Sequence, residues 1–136
     1  VFRIEKDLPF EAAHRLPHHD GKCARLHGHS WKATMIYTGP HLHDGGPQDG
    51  MLYDFGRLKE AARDLLDNYL DHHDLNATTL LPSPTSEALA KFIWEYMATK
   101  RVFLAAVVVQ ETCTARARYE PFSDPASIPT KASHDA

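Results

Sequence analysis

Apolar and polar positions along the chain follow two different periods. From Leu58, apolar residues recur at Ala61, Ala62, Leu65, Leu66, Tyr69 and Leu70, the 3.6-residue stripe of a helix with one buried side. Asp54 stands where its N-cap would fall. Past the breaker Pro82-Ser83-Pro84, a second stripe runs through Leu89, Phe92, Ile93, Tyr96 and Met97. Thr85 or Ser86 caps it, and Lys100 and Arg101 lie at the end that favours cations. The remaining apolar stretches are strand-like. Residues 1–4 and 10–14 read as one strand region broken at Pro9, and residues 30–38 alternate moderately through Trp31, Met35, Ile36 and Tyr37. Residues 102–110 and 112–119 form the last strand region, continuous or bent near Glu111. Residues 18–22 and 41–50 are rich in polar residues, Gly and Pro and read as loops. From Pro121 the chain is rich in Pro, Ser and Asp, so residues 121–136 are expected to be an irregular tail.

Two strands, two helices and one or two strands make an α+β domain with an antiparallel sheet. At 136 residues the chain is one domain by length. Two helices on one sheet face leave the other needing cover. Trp31, Met35 and the valines of residues 102–109 exceed what one small layer is expected to bury, which points to oligomerisation.

Composition narrows the function classes. A net charge of −3, with no run of like charge, offers no basic footprint for nucleic acid. Cys23 and Cys113 make no disulfide framework, so a reduced, cytoplasmic setting is expected. No apolar run approaches the ~20 residues of a membrane-spanning helix, and no charged start followed by an apolar stretch indicates a signal peptide.

The candidate chemistry is concentrated between Phe10 and Trp31. His14, Cys23, His27 and His29 bring three imidazoles and a thiol together in sequence. Three His ligands with an open fourth position make a catalytic rather than a structural zinc site. In an extended strand, side chains two apart share a face, so His27 and His29 should point with Trp31, Ala33 and Met35. Ten histidines occur in the chain, and His18, His19, His41, His43 and His134, in polar surroundings, read as ordinary. Cys23 is a thiol whose pKa a nearby cation would lower, or else a further metal ligand closing a structural site. Asp71-His72 and His73-Asp74 each pair a carboxylate with an imidazole, and residue pattern does not choose between them. Glu111 is an exposed edge charge or a buried acceptor for a planar pair of N–H donors. Glu87 more simply complements a helix N-terminus.

These residues match a known pattern. Phe10-Glu11-Ala12-Ala13-His14-Arg15-Leu16, Cys23-Ala24-Arg25-Leu26-His27-Gly28-His29-Ser30, Asp54-Phe55, Leu70-Asp71-His72, Pro84-Thr85-Ser86-Glu87 and Glu111-Thr112-Cys113-Thr114-Ala115 resemble the 6-pyruvoyl-tetrahydropterin synthase superfamily. More closely they resemble its bacterial 6-carboxy-5,6,7,8-tetrahydropterin synthase branch, of the queuosine (7-deazaguanine) pathway. The Cys23–His27 spacing and the string from Glu111 to Ala115 favour that branch. The glycine-rich loop over residues 41–50 and the tail beyond Tyr119 depart from the pattern without touching a matched motif.

The resemblance implies the tunnelling fold over residues 1–120: a four-stranded antiparallel sheet with two helices on one face. Three sheets would join into a barrel, and two trimers would stack into a hexamer with active sites between subunits. It implies that His14, His27 and His29 hold Zn²⁺, that Cys23 is the base, and that Asp71-His72 is the acid–base pair. Glu111 would anchor a pterin, with Thr85, Ser86 and Glu87 lining the pocket. The implied substrate is 7,8-dihydroneopterin triphosphate, and the products are 6-carboxytetrahydropterin, acetaldehyde and triphosphate. Arg15, Lys22 and Arg25 are candidates for the triphosphate. A pyruvoyl-type elimination and a non-catalytic pterin- or zinc-binding homologue are the alternatives.

Overall fold

A computed structural model describes residues 1–122 and Pro129; the remainder of the expected tail lies outside the described residues. In chain order the elements are strand β1 (Phe2–His14), a 3₁₀ turn (Lys22–Ala24), β2 (His27–Gly39), helices α1 (Phe55–Ala61) and α2 (Arg63–Leu65), a π-helical turn (Leu66–Leu70), β3 (His73–Asp74), α3 (Leu75–Thr79), α4 (Ser86–Thr99), β4 (Ala106–Thr112) and β5 (Ala115–Tyr119).

The α+β expectation holds, with a correction to the sheet. It has five strands in the order β3-β1-β2-β4-β5, and it is mixed. β1, β2, β4 and β5 are antiparallel neighbours, but β3 runs parallel to β1, pairing His73 with Ala12 and Asp74 with Ala13. A two-residue strand inside a polar segment leaves no period for sequence to display. Pro9 does not break β1. It pairs with Lys32, where β1 has no strand on its other side because β3 reaches only Ala12 and Ala13; there a proline forfeits no ladder bond. The last strand region bends as expected. A register shift between Gln110 and Thr112 precedes the turn at Cys113 and Thr114.

Leu8, Phe10 and Ala12 of β1, Trp31, Ala33 and Met35 of β2, and Val107 and Val109 of β4 lie in one buried cluster. Leu58, Ala62, Leu65, Leu70, Leu89, Ala90, Ile93 and Met97 of the helical segments complete it. The chain therefore covers Trp31, Met35, Val102, Val107 and Val109 within its own core, contrary to the expectation that they need a partner, and leaves Val108 half-buried on the other face. The opposite face carries Glu5, Asp7, Glu11, Ser30, Lys32 and Thr34, and there Thr34 Oγ1 donates to Asp7 Oδ1 at 2.8 Å.

Asp54 caps α1 by accepting from Gly56 N, and Thr85 caps α4 by accepting from Ala88 N. The first helix departs from its expected single run. It breaks at Ala62 (φ −93°, ψ −2°), then widens into the π turn, where Asp71 N donates to Leu66 O. The extra residue in that turn keeps Leu65 and Leu70, five apart, on one fully buried side and leaves Tyr69 only partly buried.

Leu58 is fully buried, whereas Leu80 is 83% exposed. Leu58→Ala is expected to cost about 2–5 kcal/mol in denaturant unfolding, and Leu80→Ala to stay within about 0.5 kcal/mol.

Candidate metal centre and adjoining groove

The β1–β2 register sets His14 opposite His27 and Ala12 opposite His29. Side-chain alternation then turns all three imidazoles to the buried face, as the spacing predicted for His27 and His29. Their ligand atoms lie within 4.8 Å of one another, and the rings meet edge-on at centroid separations of 4.6–5.2 Å. Trp31 stands edge-on to both His14 and His29, with its own Nε1–H donated to Ala12 O.

Two carbonyls fix ring orientation. Pro84 O accepts from His14 Nδ1 at 2.8 Å, and Arg25 O accepts from His27 Nδ1 at 2.7 Å. A carbonyl cannot donate, so each Nδ1 bears the proton and each Nε2 keeps a lone pair. This outer support is typical of metal-ligating histidines. Burial pushes the His14 and His29 pKa values below 6.5, favouring neutral rings. His14 Nε2 and His29 Nε2 are buried without a hydrogen-bond partner, and Glu111 Oε1 lies 3.3 Å from the first and 3.7 Å from the second. Lone pairs facing a carboxylate in a buried site call for a cation between them. The donor set, three imidazoles free of thiolate, fits an open divalent-metal site. Cys23, half-buried in the 3₁₀ turn, is outside this cluster.

Asp71 and His72 meet directly, His72 Nδ1 lying 3.0 Å from Asp71 Oδ2. The pair is held by Glu11 of β1: Glu11 N donates to Asp71 Oδ1, and His72 N donates to Glu11 O. The Glu11 amide, the largest influence on Asp71, lowers its pKa and keeps it a carboxylate. The competing pair is engaged elsewhere. His73 Nε2 donates to Asp67 O in the π turn, and Asp74 caps α3 on Asn76 N. His72 has a left-handed φ of 61°, uncommon for a residue with a β-carbon, and its side chain is 78% exposed.

An open groove of about 540 Å³ joins the two parts; His29, Gly28, Ser30, Glu11, His72 and His73 are among its lining. Ser30 Oγ donates to the Glu11 carboxylate at 2.7 Å. The structure thus unites His14, His27, His29 and Glu111, and the groove runs from His29 of that cluster to His72, the partner of Asp71. Among the described residues, Cys23, Thr85, Ser86, Glu87 and Glu111 do not line it; Thr85 caps α4 and Glu87 is exposed in its first turn. Reasoning from sequence missed Glu11, Ser30 and the Pro84 and Arg25 carbonyls. A backbone carbonyl carries no residue signal. The Glu11–Ser30 pair is visible only once register is known.

The family model described as 6-pyruvoyl tetrahydropterin synthase matches residues 3–121. A 6-carboxy-5,6,7,8-tetrahydropterin synthase of Synechocystis sp. is 47% identical over 117 residues, covering 85% of this chain and 91% of the relative. The Bacillus subtilis protein of the same name is 32% identical over 129 residues, covering 88% and 86%. Among solved structures, the Caenorhabditis elegans 6-pyruvoyl tetrahydropterin synthase superposes with a TM-score of 0.73 at 27% identity, covering 89% of this chain and 96% of that one. By family model, sequence and fold alike, the chain belongs to the 6-pyruvoyl tetrahydropterin synthase family.

Proposed function

We propose that the chain is a zinc-dependent 6-carboxy-5,6,7,8-tetrahydropterin synthase, a lyase of 7-deazaguanine/queuosine biosynthesis. It converts 7,8-dihydroneopterin triphosphate to 6-carboxy-5,6,7,8-tetrahydropterin with release of acetaldehyde and triphosphate. The observation that carries this reading is the imidazole triad, with His14 fully buried, on a groove that His72 of the Asp71–His72 pair also lines, in a chain 47% identical to a relative of that name. Residues 1–120 form the catalytic domain.

His14, His27 and His29 hold the zinc through their ring nitrogens. Bound there, zinc supplies Lewis acidity toward substrate oxygens. Cys23 takes a proton from the substrate side chain. Asp71 stays ionised and accepts from His72 Nδ1, which fixes the ring and leaves Nε2 to exchange protons within hydrogen-bond reach. Glu111 offers a carboxylate to the paired N–H groups of the pterin, and Thr85, Ser86 and Glu87 line its pocket.

The sheet edges support assembly. Among the described residues, β1 has β2 alone beside it from Phe2 to Glu11, and β5 has β4 alone. Unpaired edges are templates for further strands. Joining β1 of one copy to β5 of the next yields a trimeric barrel, and two trimers form a homohexamer whose active sites gather Cys23 and the pocket residues from neighbouring subunits. No helix among the described residues is long and apolar enough to cross a membrane, and a cytoplasmic location fits the unpaired cysteines. The pyruvoyl-type elimination is the second reading, favoured by the C. elegans fold match.

Incubated with 7,8-dihydroneopterin triphosphate, the zinc-loaded protein is expected to release acetaldehyde and triphosphate together. Triphosphate without acetaldehyde would move the assignment to the pyruvoyl-type reaction, and neither product to a non-catalytic binder. Cys23→Ala and His72→Ala are each expected to lower kcat by roughly 10²–10⁴-fold while zinc content, read by atomic absorption, stays at wild-type level.

The lowered pKa values give a pH dependence to the metal-free fold. Above pH 6.5 the buried imidazoles are neutral in both folded and unfolded chains. Below it the unfolded chain takes up protons first, so stability is lost as pH falls toward the depressed folded values. The Tm of metal-free protein should drop between pH 7 and pH 5, with a shallower drop in His14→Gln; equal slopes would contradict the assignment of buried neutral rings.

A further inference from the structure

Glu11, Ala13 and Arg15 present their backbone N–H and C=O groups to the same edge of β1, the edge met by residues 71–76. At Glu11 those groups are taken by the Asp71 carboxylate and the His72 amide. Next comes the two-residue pairing of β3 with Ala12 and Ala13. At Arg15, one residue past the end of β1, a side chain replaces the strand. Asn76 Nδ2 donates to Arg15 O at 2.9 Å, and Arg15 N donates to Asn76 Oδ1 at 2.9 Å. The primary amide satisfies both Arg15 backbone groups that a continuing strand would otherwise have met, just past the end of the parallel pairing.

We propose that Asn76 is a positioning residue: by clamping the backbone of Arg15 it locks the segment bearing Asp71 and His72 in register with the strand bearing His14. Two strand residues are too few to hold register on their own. The segment is instead pinned at both ends, at Glu11 by Asp71 and His72 and at Arg15 by Asn76. Asp74 connects the pins, since its side chain accepts from Asn76 N. His14 sits between Ala13 and Arg15, so the clamp that closes on Arg15 also fixes the backbone from which the His14 ring projects. His72 itself cannot supply this rigidity. Its side chain is 78% exposed and its φ is left-handed, so its placement depends on what holds the backbone to either side. Asn76 is neither part of the triad nor itself in the groove lining. It acts through the strand.

This inference rests on the proposed roles of Asp71 and His72, and its test separates the two. Asn76→Leu removes both bonds at similar size. Asn76→Asp keeps an acceptor for Arg15 N and loses the donor to Arg15 O. Three proteins are compared: wild type and both variants, each zinc-loaded for kinetics and metal-free for amide hydrogen exchange. With zinc content at wild-type level, kcat should fall in the order wild type, Asp, Leu, by about 10- to 100-fold in the Leu variant, with KM nearly unchanged. In the metal-free proteins the amides of residues 71–76 and of Arg15 should exchange faster in the same order. Unchanged kcat with unchanged exchange would overturn the clamp. So would a lower Tm with wild-type kcat per folded molecule, the signature of a merely structural bond. Should the Leu variant fail to fold, the Asp variant alone decides by the same two readouts. A wild type without turnover would defeat the proposed activity, and the exchange rates would still judge the clamp.

Discussion

The pairing register between β1 and β2 is the constraint from which the rest of the site follows. His14 faces His27, Ala12 faces His29 and Phe10 faces Trp31, so three imidazoles and two aromatic rings share the buried face of the sheet. Side chains alternate with a period of two, and a slip of one residue would send a whole strand's set to the other face. Here that other face is polar, with Glu11 opposite Ser30 and Asp7 opposite Thr34. A one-residue slip of β1 would bury those carboxylates and turn His14 away from His27 and His29. The hydrophobic contrast that specifies the fold therefore specifies the imidazole cluster as well.

Burial of this kind gives the cluster its chemistry. Imidazoles on the surface would be free to rotate and to protonate near neutrality. Beside Trp31, the His14 ring is locked by the Pro84 carbonyl and kept toward the neutral form by desolvation. The Pro84–Thr85 segment consequently serves two purposes. Its carbonyl orients a ring in the sheet, and its threonine hydroxyl caps α4. The Asp71–His72 pair is built on a different principle. Asp71 and His72 lie at a sheet edge, are hydrogen-bonded to the backbone of Glu11 and stay open to solvent. β1 thus carries the desolvated His14 ring on its face and holds the exposed Asp71–His72 pair at its edge.

The π turn over Leu66–Leu70 links packing to that edge. Its added residue keeps Leu65 and Leu70 on the core side and delivers Asp71 to β1. Carbonyls freed by the wider turn are satisfied by His73 on Asp67 O and by the Thr78 hydroxyl on Tyr69 O. Such turns often mark functional sites, and the reason here is geometric: an uninterrupted helix would carry Asp71 onward along its own axis.

The sequence by itself determined the two helical stripes, the Asp54 cap and a second cap at Thr85 or Ser86, the α+β class and the parity that puts His27 and His29 with Trp31. All of these are local, set by periods of 3.6 and 2.0 and by single capping side chains. Its motifs also carried the family resemblance that the comparisons bear out. Tertiary structure alone decided that Pro9 is tolerated inside β1, that a two-residue parallel strand makes the sheet mixed, and that Trp31, Met35, Val102, Val107 and Val109 are covered within one chain. It also brought Asp71 rather than Asp74 into contact with an imidazole, set Glu111 beside His14, and spent the side chain of Asn76 on Arg15, sixty-one positions away. Each of those outcomes depends on which backbone groups remain unpaired after the strands have met. Residue type does not encode that, because every backbone carries the same donors and acceptors.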